Sequence, residues 1–304
     1  MIAAPDPEDG RDALYSRAAA AGYGRIGAPL FEVAGRRLVE LAGVKPGQRV
    51  LDIATGRGAV LFPAAERVLP DGSVLGVDLS LGMLELTAAD IAQRGLRNAA
   101  VQRMDADALD LPRQSFDAVL CSFAVFFLRD VVDSLRQIRE LLVPGGVVGF
   151  AFARDSDPRW QWYEQLVAEL VRLEAASAGL RVRDEGVLVE VMRGADFADA
   201  HETVEQVELY FTDAQDWWAS LWTHGTRQPL ERLDATDLER LRTTCLERVQ
   251  AQMTDRGLPI SFQLVYVLGR SGLNSASAGS HAAPPDRPAT QAGIHGGNGD
   301  ECAS

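Results

Sequence analysis

The sequence predicts a doubly wound α/β fold, a mostly parallel sheet with helices on both faces. Three observations carry this expectation. Five short, nearly continuous apolar runs alternate with helical patterns, as strands buried on both faces do. Turn residues precede three of the runs: Pro46-Gly47, Pro70-Asp71-Gly72 and Pro144-Gly145-Gly146. The first run ends in a tight glycine turn that opens a helix.

The five runs are 49–54, 73–78, 100–104, 116–122 and 147–152. A helix is expected over 160–177, with Tyr163, Leu166, Val167, Leu170 and Leu173 on one face. Another is expected from Thr236, where Thr236-Asp237-Leu238-Glu239 fits a capping box. It turns Leu238, Leu241, Cys245, Val249 and Met253 inward. Two last strand-like runs, 204–211 and 260–268, read as an antiparallel hairpin at one sheet edge. Residues 1–10 are expected to be a flexible end. The domain then spans 11–270, with 153–200 as a cap-like insertion. Residues 271–304 are rich in Ser, Ala, Gly and Pro and are expected to be disordered.

Bulk properties narrow the function. The chain has 304 residues, 47% of them hydrophobic, enough for a sizeable core. Its formal net charge of -13 disfavours nucleic acid and anionic membrane surfaces as partners. The three cysteines, Cys121, Cys245 and Cys302, form neither a disulfide framework nor a zinc motif, so no metal is expected. No stretch approaches the roughly 18 apolar residues of a membrane span, and no targeting segment is recognisable, so the expected location is cytoplasmic. Composition does not indicate an oligomeric state.

The informative segment is Asp52-Ile53-Ala54-Thr55-Gly56-Arg57-Gly58. Glycines let the backbone approach a ligand at the carboxyl end of a strand. A dinucleotide fingerprint from Gly56 would need a third glycine where Leu61 stands. Asp52 would repel a pyrophosphate but attract an ammonium or sulfonium, which points to a zwitterionic nucleoside. Asp78 ends the second run, where a carboxylate can accept both ribose hydroxyls; a helix cap is the other reading. Asp105, after the third run, can accept from an adenine amine. Three acids at three successive strand ends line one cleft.

These residues resemble the class I methyltransferases that use S-adenosylmethionine, in particular the ubiquinone/menaquinone-biosynthesis-like branch. The resemblance covers about residues 12–270 and is clearest at 45–152. It rests on the glycine turn, Asp78-Leu79-Ser80 with Met83, Asp105-Ala106, Phe116-Asp117-Ala118-Val119 and Leu142-Val143-Pro144-Gly145-Gly146. It implies a seven-stranded sheet whose last strand is antiparallel and a cofactor site of Asp52, Ala54, Thr55, Gly56, Gly58, Asp78, Leu79, Met83, Asp105, Ala106 and Ser122. Many members have glycine at the position of Ala54. The family's aromatic text after the fourth strand often contains His, which Ser122-Phe123-Ala124-Val125-Phe126-Phe127 lacks.

The resemblance implies methyl transfer to an O, N or C nucleophile of a small apolar or aromatic metabolite. The alternative is a protein of this fold that binds the cofactor without transferring methyl, such as a cyclase or pericyclase. The substrate side is expected from Tyr15 and Tyr23, from Phe123, Phe126 and Phe127, and from Arg154, Trp160 and Tyr163; for each aromatic, plain core packing competes. Asp216 to Arg227 places Trp218 and Trp222 on one helical face, ending in His224. This segment is either a substrate lid with His224 as base or a docked helix with His224 at its C-terminal end.

Overall fold

The computed structural model describes residues 7–20, 22–154, 157–171, 182–224 and 226–272. Two helices precede the sheet, α1 (Pro7–Ala20) and α2 (Leu30–Leu41). Then follow β1 (Arg49–Ile53), α3 (Leu61–Arg67), β2 (Ser73–Asp78), α4 (Leu81–Gln93), β3 (Ala99–Arg103) and β4 (Phe116–Ser122). A short 3-10 turn, Val125–Phe127, leads to α5 (Val131–Leu141), β5 (Leu142–Ala153), α6 (Gln161–Val171) and α7 (Val187–Gly194). Last come β6 (Phe197–Phe211), α8 (Ala214–Ser220), α9 (Arg227–Leu230), α10 (Ala235–Gln250) and β7 (Leu258–Ser271).

The strands form one seven-stranded sheet in the order β3-β2-β1-β4-β5-β7-β6. The pairs from β3 to β5 are parallel, and β7 runs antiparallel between β5 and β6. The strand order reverses between β1 and β4, the point where doubly wound sheets bind ligands. Alternate residues of each central strand go to opposite faces. Leu51, Ile53, Val119, Cys121, Phe150 and Phe152 pack with α5 and α7 on one side. Val50, Val74, Ala118, Leu120 and Tyr266 pack with α2 and α3 on the other. A third cluster joins Trp160, Trp217, Trp218, Leu241, Cys245 and Val249.

Several boundaries differ from the sequence reading. Helix α1 begins at Pro7, inside the span expected to be a loose end. Strand β5 starts at Leu142, and Pro144-Gly145-Gly146 fills an irregularity in register opposite Phe116 and Ala118. Strand β6 starts at Phe197, because pairing with β7 continues past an irregularity between Ala198 and His201 whatever the local polarity. It pairs antiparallel with β7 as expected, but three helices rather than a tight turn connect the two. Strand β3 is largely exposed because it forms the edge of the sheet. The cap of α10 is Asp234, whose carboxylate accepts from the Thr236 and Asp237 N–H groups, two residues ahead of the expected box. Of the expected 160–177 helix, Leu173 and Ser177 lie outside the described residues, as does the tail beyond Gly272.

The span 153–200 does not lie over the switch point as far as its described residues go. Helix α6 packs with α9 and α10, and α7 packs on the sheet through Leu188, Val189 and Met192. Among the described residues, no helix is long and apolar enough to cross a membrane, and no cluster of metal-ligating side chains occurs.

Candidate functional site

The turn after β1 is built by backbone demands. Ala54, Gly56 and Gly58 all take positive φ, at 54°, 51° and 79°. For an alanine this conformation costs about 1–2 kcal/mol, so a glycine at position 54 would relax the turn. The Thr55 N–H donates to the Val77 carbonyl at 2.9 Å, and the Gly58 N–H to the Thr55 carbonyl at 2.8 Å. The Thr87 hydroxyl donates to the Gly56 carbonyl at 2.7 Å. The turn is therefore fixed to β2 and α4 before any ligand arrives.

Asp78 ties the turn to the second strand end. Its Oδ2 accepts from the Gly56 N–H at 2.8 Å and its Oδ1 from the Ser80 N–H at 2.9 Å. Burial nevertheless pushes its carboxyl above the usual range. The cap of α4 is Ser80, whose hydroxyl accepts from the Met83 N–H. Asp105 Oδ1 accepts from the Asp107 N–H at 3.0 Å, and its Oδ2 from Arg129 at 3.2 Å.

A cleft opens over these strand ends. Ala54, Gly56, Asp78, Leu79, Met83, Asp105, Ala106 and Ser122 all line it. So do Tyr15, Tyr23, Phe123 and Phe127 from the expected substrate side. Tyr15 meets both Tyr23 and Phe127 edge-on, with centroids 6.3 and 5.8 Å away. Sequence reasoning missed Asp12, Met104 and Leu128, which line the same cleft but carry no local signal.

A second chamber of about 890 Å³ lies across the glycine turn. It shares Tyr23, Ala54, Gly56 and Ser122 with the first. Asp52, Thr55 and Gly58 face this chamber rather than the first cleft. Asp52 is buried and accepts from the Thr55 hydroxyl at 2.6 Å. Burial pushes its carboxyl up to about 7, against the pull of the Thr55 hydroxyl and the Leu61 N–H. The Ser122 hydroxyl oxygen is buried with no partner, an orphaned polar atom at the junction of the two spaces. Also unforeseen here are Arg25, Arg36 and Arg94, and above all Arg57 from within the turn.

Six candidates stand elsewhere, among them Tyr163, which meets Trp217 edge-on at 5.4 Å. Phe126 packs on the main core, with the Arg183 guanidinium 4.2 Å over its ring. Arg154 is held by Glu202 at 2.6 Å and donates to the Arg183 carbonyl at 2.9 Å. Trp160 stacks on Trp217 at 5.1 Å, and Trp218 is buried in the same cluster. Trp222 packs on that cluster beneath Arg227. The Trp segment is thus a short docked helix, because its indoles have their own core to fill.

His224 is not on the cleft wall. Its ring lies against Tyr23 and Phe31, at centroid distances of 5.6 and 5.3 Å. Burial lowers its pKa to about 4, partly offset by a bond to the Ser220 carbonyl. It is neutral at pH 7 and a weak proton acceptor. It stands beyond α8, which ends at Ser220, and lines a third pocket with Phe31, Glu32 and Arg25.

Three comparisons bear on this geometry. A family model described as a methyltransferase domain matches residues 50–146, which hold β1 to the start of β5. The aklanonic acid methyltransferase of Streptomyces sp. (strain C5) is 44% identical over 128 residues, 42% of this chain and 58% of that one. That match thus spans less than two thirds of the relative's length. The nocamycin O-methyltransferase of Saccharothrix syringae is 28% identical over 263 residues, 82% of this chain and 94% of that one. The crystal structure of the YcgJ protein of Bacillus subtilis superposes with a TM-score of 0.51 at 20% identity, covering 79% of this chain and 98% of the other.

Proposed function

The chain belongs to the class I S-adenosylmethionine-dependent methyltransferases, and on that premise we propose that it methylates an oxygen of a small, largely apolar carboxylic acid. One observation carries the reading: two spaces that share four lining residues around the glycine turn offer acids at three strand ends and an aromatic rim, with no strong base among their described lining residues. When bound, the cofactor supplies a methyl carbon made electrophilic by a sulfonium. Asp78 is placed to accept from the ribose hydroxyls through lone pairs its two backbone donors leave free. Asp105, which lines the same cleft, would accept from the adenine amine. Ser122, buried without a partner, fits a polar atom of the cofactor. Tyr15, Phe123 and Phe127 exclude water and pack on an apolar acceptor.

A carboxylate is ionised at neutral pH and needs no proton removed, which suits this lining. His224 titrates near 4, and burial pushes the Tyr23 phenol above its ordinary range. The names of two relatives, one for an acid and one for O-methyl transfer, support the same acceptor. Incubating the protein with S-adenosylmethionine and matched aromatic acids, phenols and amines tests it by mass spectrometry. The acids are expected to gain one methyl as an alkali-labile ester, and H224Q to retain that turnover. Methyl transfer to phenol or amine alone, or none at all, overturns the proposal.

Asp52 gives the site a pH dependence. Its proton is lost near pH 7 in the free protein, and the ionised form attracts the cofactor's ammonium. Affinity for S-adenosylhomocysteine is therefore expected to rise up to about tenfold per pH unit below 7 and to level off above 8. Folding runs the other way. A carboxyl raised in the native state stabilises the fold fully below its unfolded pKa and loses that contribution as pH rises to about 7. Calorimetric titration across pH 6 to 8.5 checks the first effect, and a flat profile excludes it.

A further inference from the structure

The reading above leaves Arg57 without a role. It occupies the middle of the glycine turn, its side chain is 10% exposed, and it lines the second chamber. Its Nη2 donates to Asp90 Oδ2 at 2.6 Å. Arg25 Nη2 donates to the same oxygen, also at 2.6 Å. Two guanidiniums thus share one carboxylate, and the group carries a net positive charge. Arg57 Nε is buried and has no partner.

The other cations of the chamber are engaged. Arg36 faces Glu66 at 3.7 Å, and Arg94 lies 3.9 Å over the Phe62 ring. The acids of the chamber are Asp52 and Glu32. A buried guanidinium with an unused donor is costly unless an oxygen meets it, and a carboxylate meets it best. Asp90 pins the fork from behind, so little side-chain freedom would be lost on binding.

We infer that Arg57 is a specificity residue for the α-amino-acid end of the cofactor, binding its carboxylate while Asp52 receives the ammonium. This rests on the cofactor reading proposed above. One wall of the chamber thereby offers a cation and another an anion, the complement of a zwitterion. The shared residues Gly56 and Ser122 connect that wall to the nucleoside cleft. A nucleoside without an amino-acid end would fill the first cleft and leave Arg57 unsatisfied.

Calorimetry on the full chain at pH 8 tests this with two probes, S-adenosylhomocysteine and 5′-methylthioadenosine, which lacks the amino-acid end. Arg57→Gln is expected to weaken S-adenosylhomocysteine about tenfold to a hundredfold and methylthioadenosine less than about twofold. Arg57→Lys keeps the charge without the fork and should lose several-fold on the first probe alone, which keeps the test open if the glutamine variant does not fold. Equal losses on both probes would show that Arg57 only shapes the turn, and unchanged binding of the first would remove it from the site. If the parent protein binds both probes equally well, this inference fails while the cofactor reading stands. If it binds neither, the cofactor reading fails and takes the inference with it.

Discussion

Asp78→Ala is expected to weaken S-adenosylhomocysteine binding about a hundredfold or more, equivalent to about 2.7 kcal/mol. Two effects combine. The ligand loses a charged acceptor for its hydroxyls, a bond worth about 1.5–3 kcal/mol. The glycine turn also loses its tie, because the Gly56 and Ser80 N–H groups both donate to this carboxylate. Asp78→Asn separates the two. Its single amide oxygen can serve only one backbone donor well, so an intermediate loss is expected. The variant should unfold cooperatively, with a melting point only a few degrees lower, since the strand itself is untouched. A dissociation constant within about threefold of the parent value would show that Asp78 serves only the loop.

Much of this site is local in sequence, and that is why it was legible. Asp52, Asp78 and Asp105 each stand near the end of a short apolar run, and the sheet brings those ends together through its register. The bounds of β2 and β4 follow from the apolar pattern alone. What was not legible depends on contacts between distant segments. Trp160 reads as a substrate aromatic until Trp217 is seen to stack on it. The packing of His224 against Tyr23 and Phe31 joins segments about two hundred residues apart and leaves no mark in its own stretch of chain. The start of β6 carries Asp199, His201 and Glu202 and has no strand signature; its partner β7 makes it a strand. Arg57 was visible all along as the middle residue of the turn. Its role was hidden because Arg25 and Asp90 come from elsewhere in the chain.

A large effect on stability is expected at a residue no motif marks, Gly35 in the middle of α2. A methyl group there would sit 2.3 Å from the Ala59 carbonyl oxygen and 2.5 Å from its carbon. Both are backbone atoms, so no rotamer change relieves the clash, and α2 must move away from the segment entering α3. That movement unpacks Ala34 and Leu38, both fully buried against the sheet. Gly35→Ala gains about 1 kcal/mol of helix propensity and is expected to lose more than that in packing, for a net cost of about 2–3 kcal/mol. In a domain of this size the melting point should fall by roughly 5–10 °C. Gly194→Ala provides the contrast. It lies in α7, where an added methyl meets nothing within 4 Å, so propensity alone should leave the melting point unchanged or slightly raised. The two variants differ in surroundings rather than in chemistry. Ala59 follows Gly58 directly, so a displaced α2 also shifts the turn that holds Arg57. Gly35→Ala should therefore weaken S-adenosylhomocysteine even where the protein remains folded. A Gly35→Ala protein that melts with the parent would mean that α2 and the turn tolerate separation, and the pre-formed chamber argued for above would lose its support.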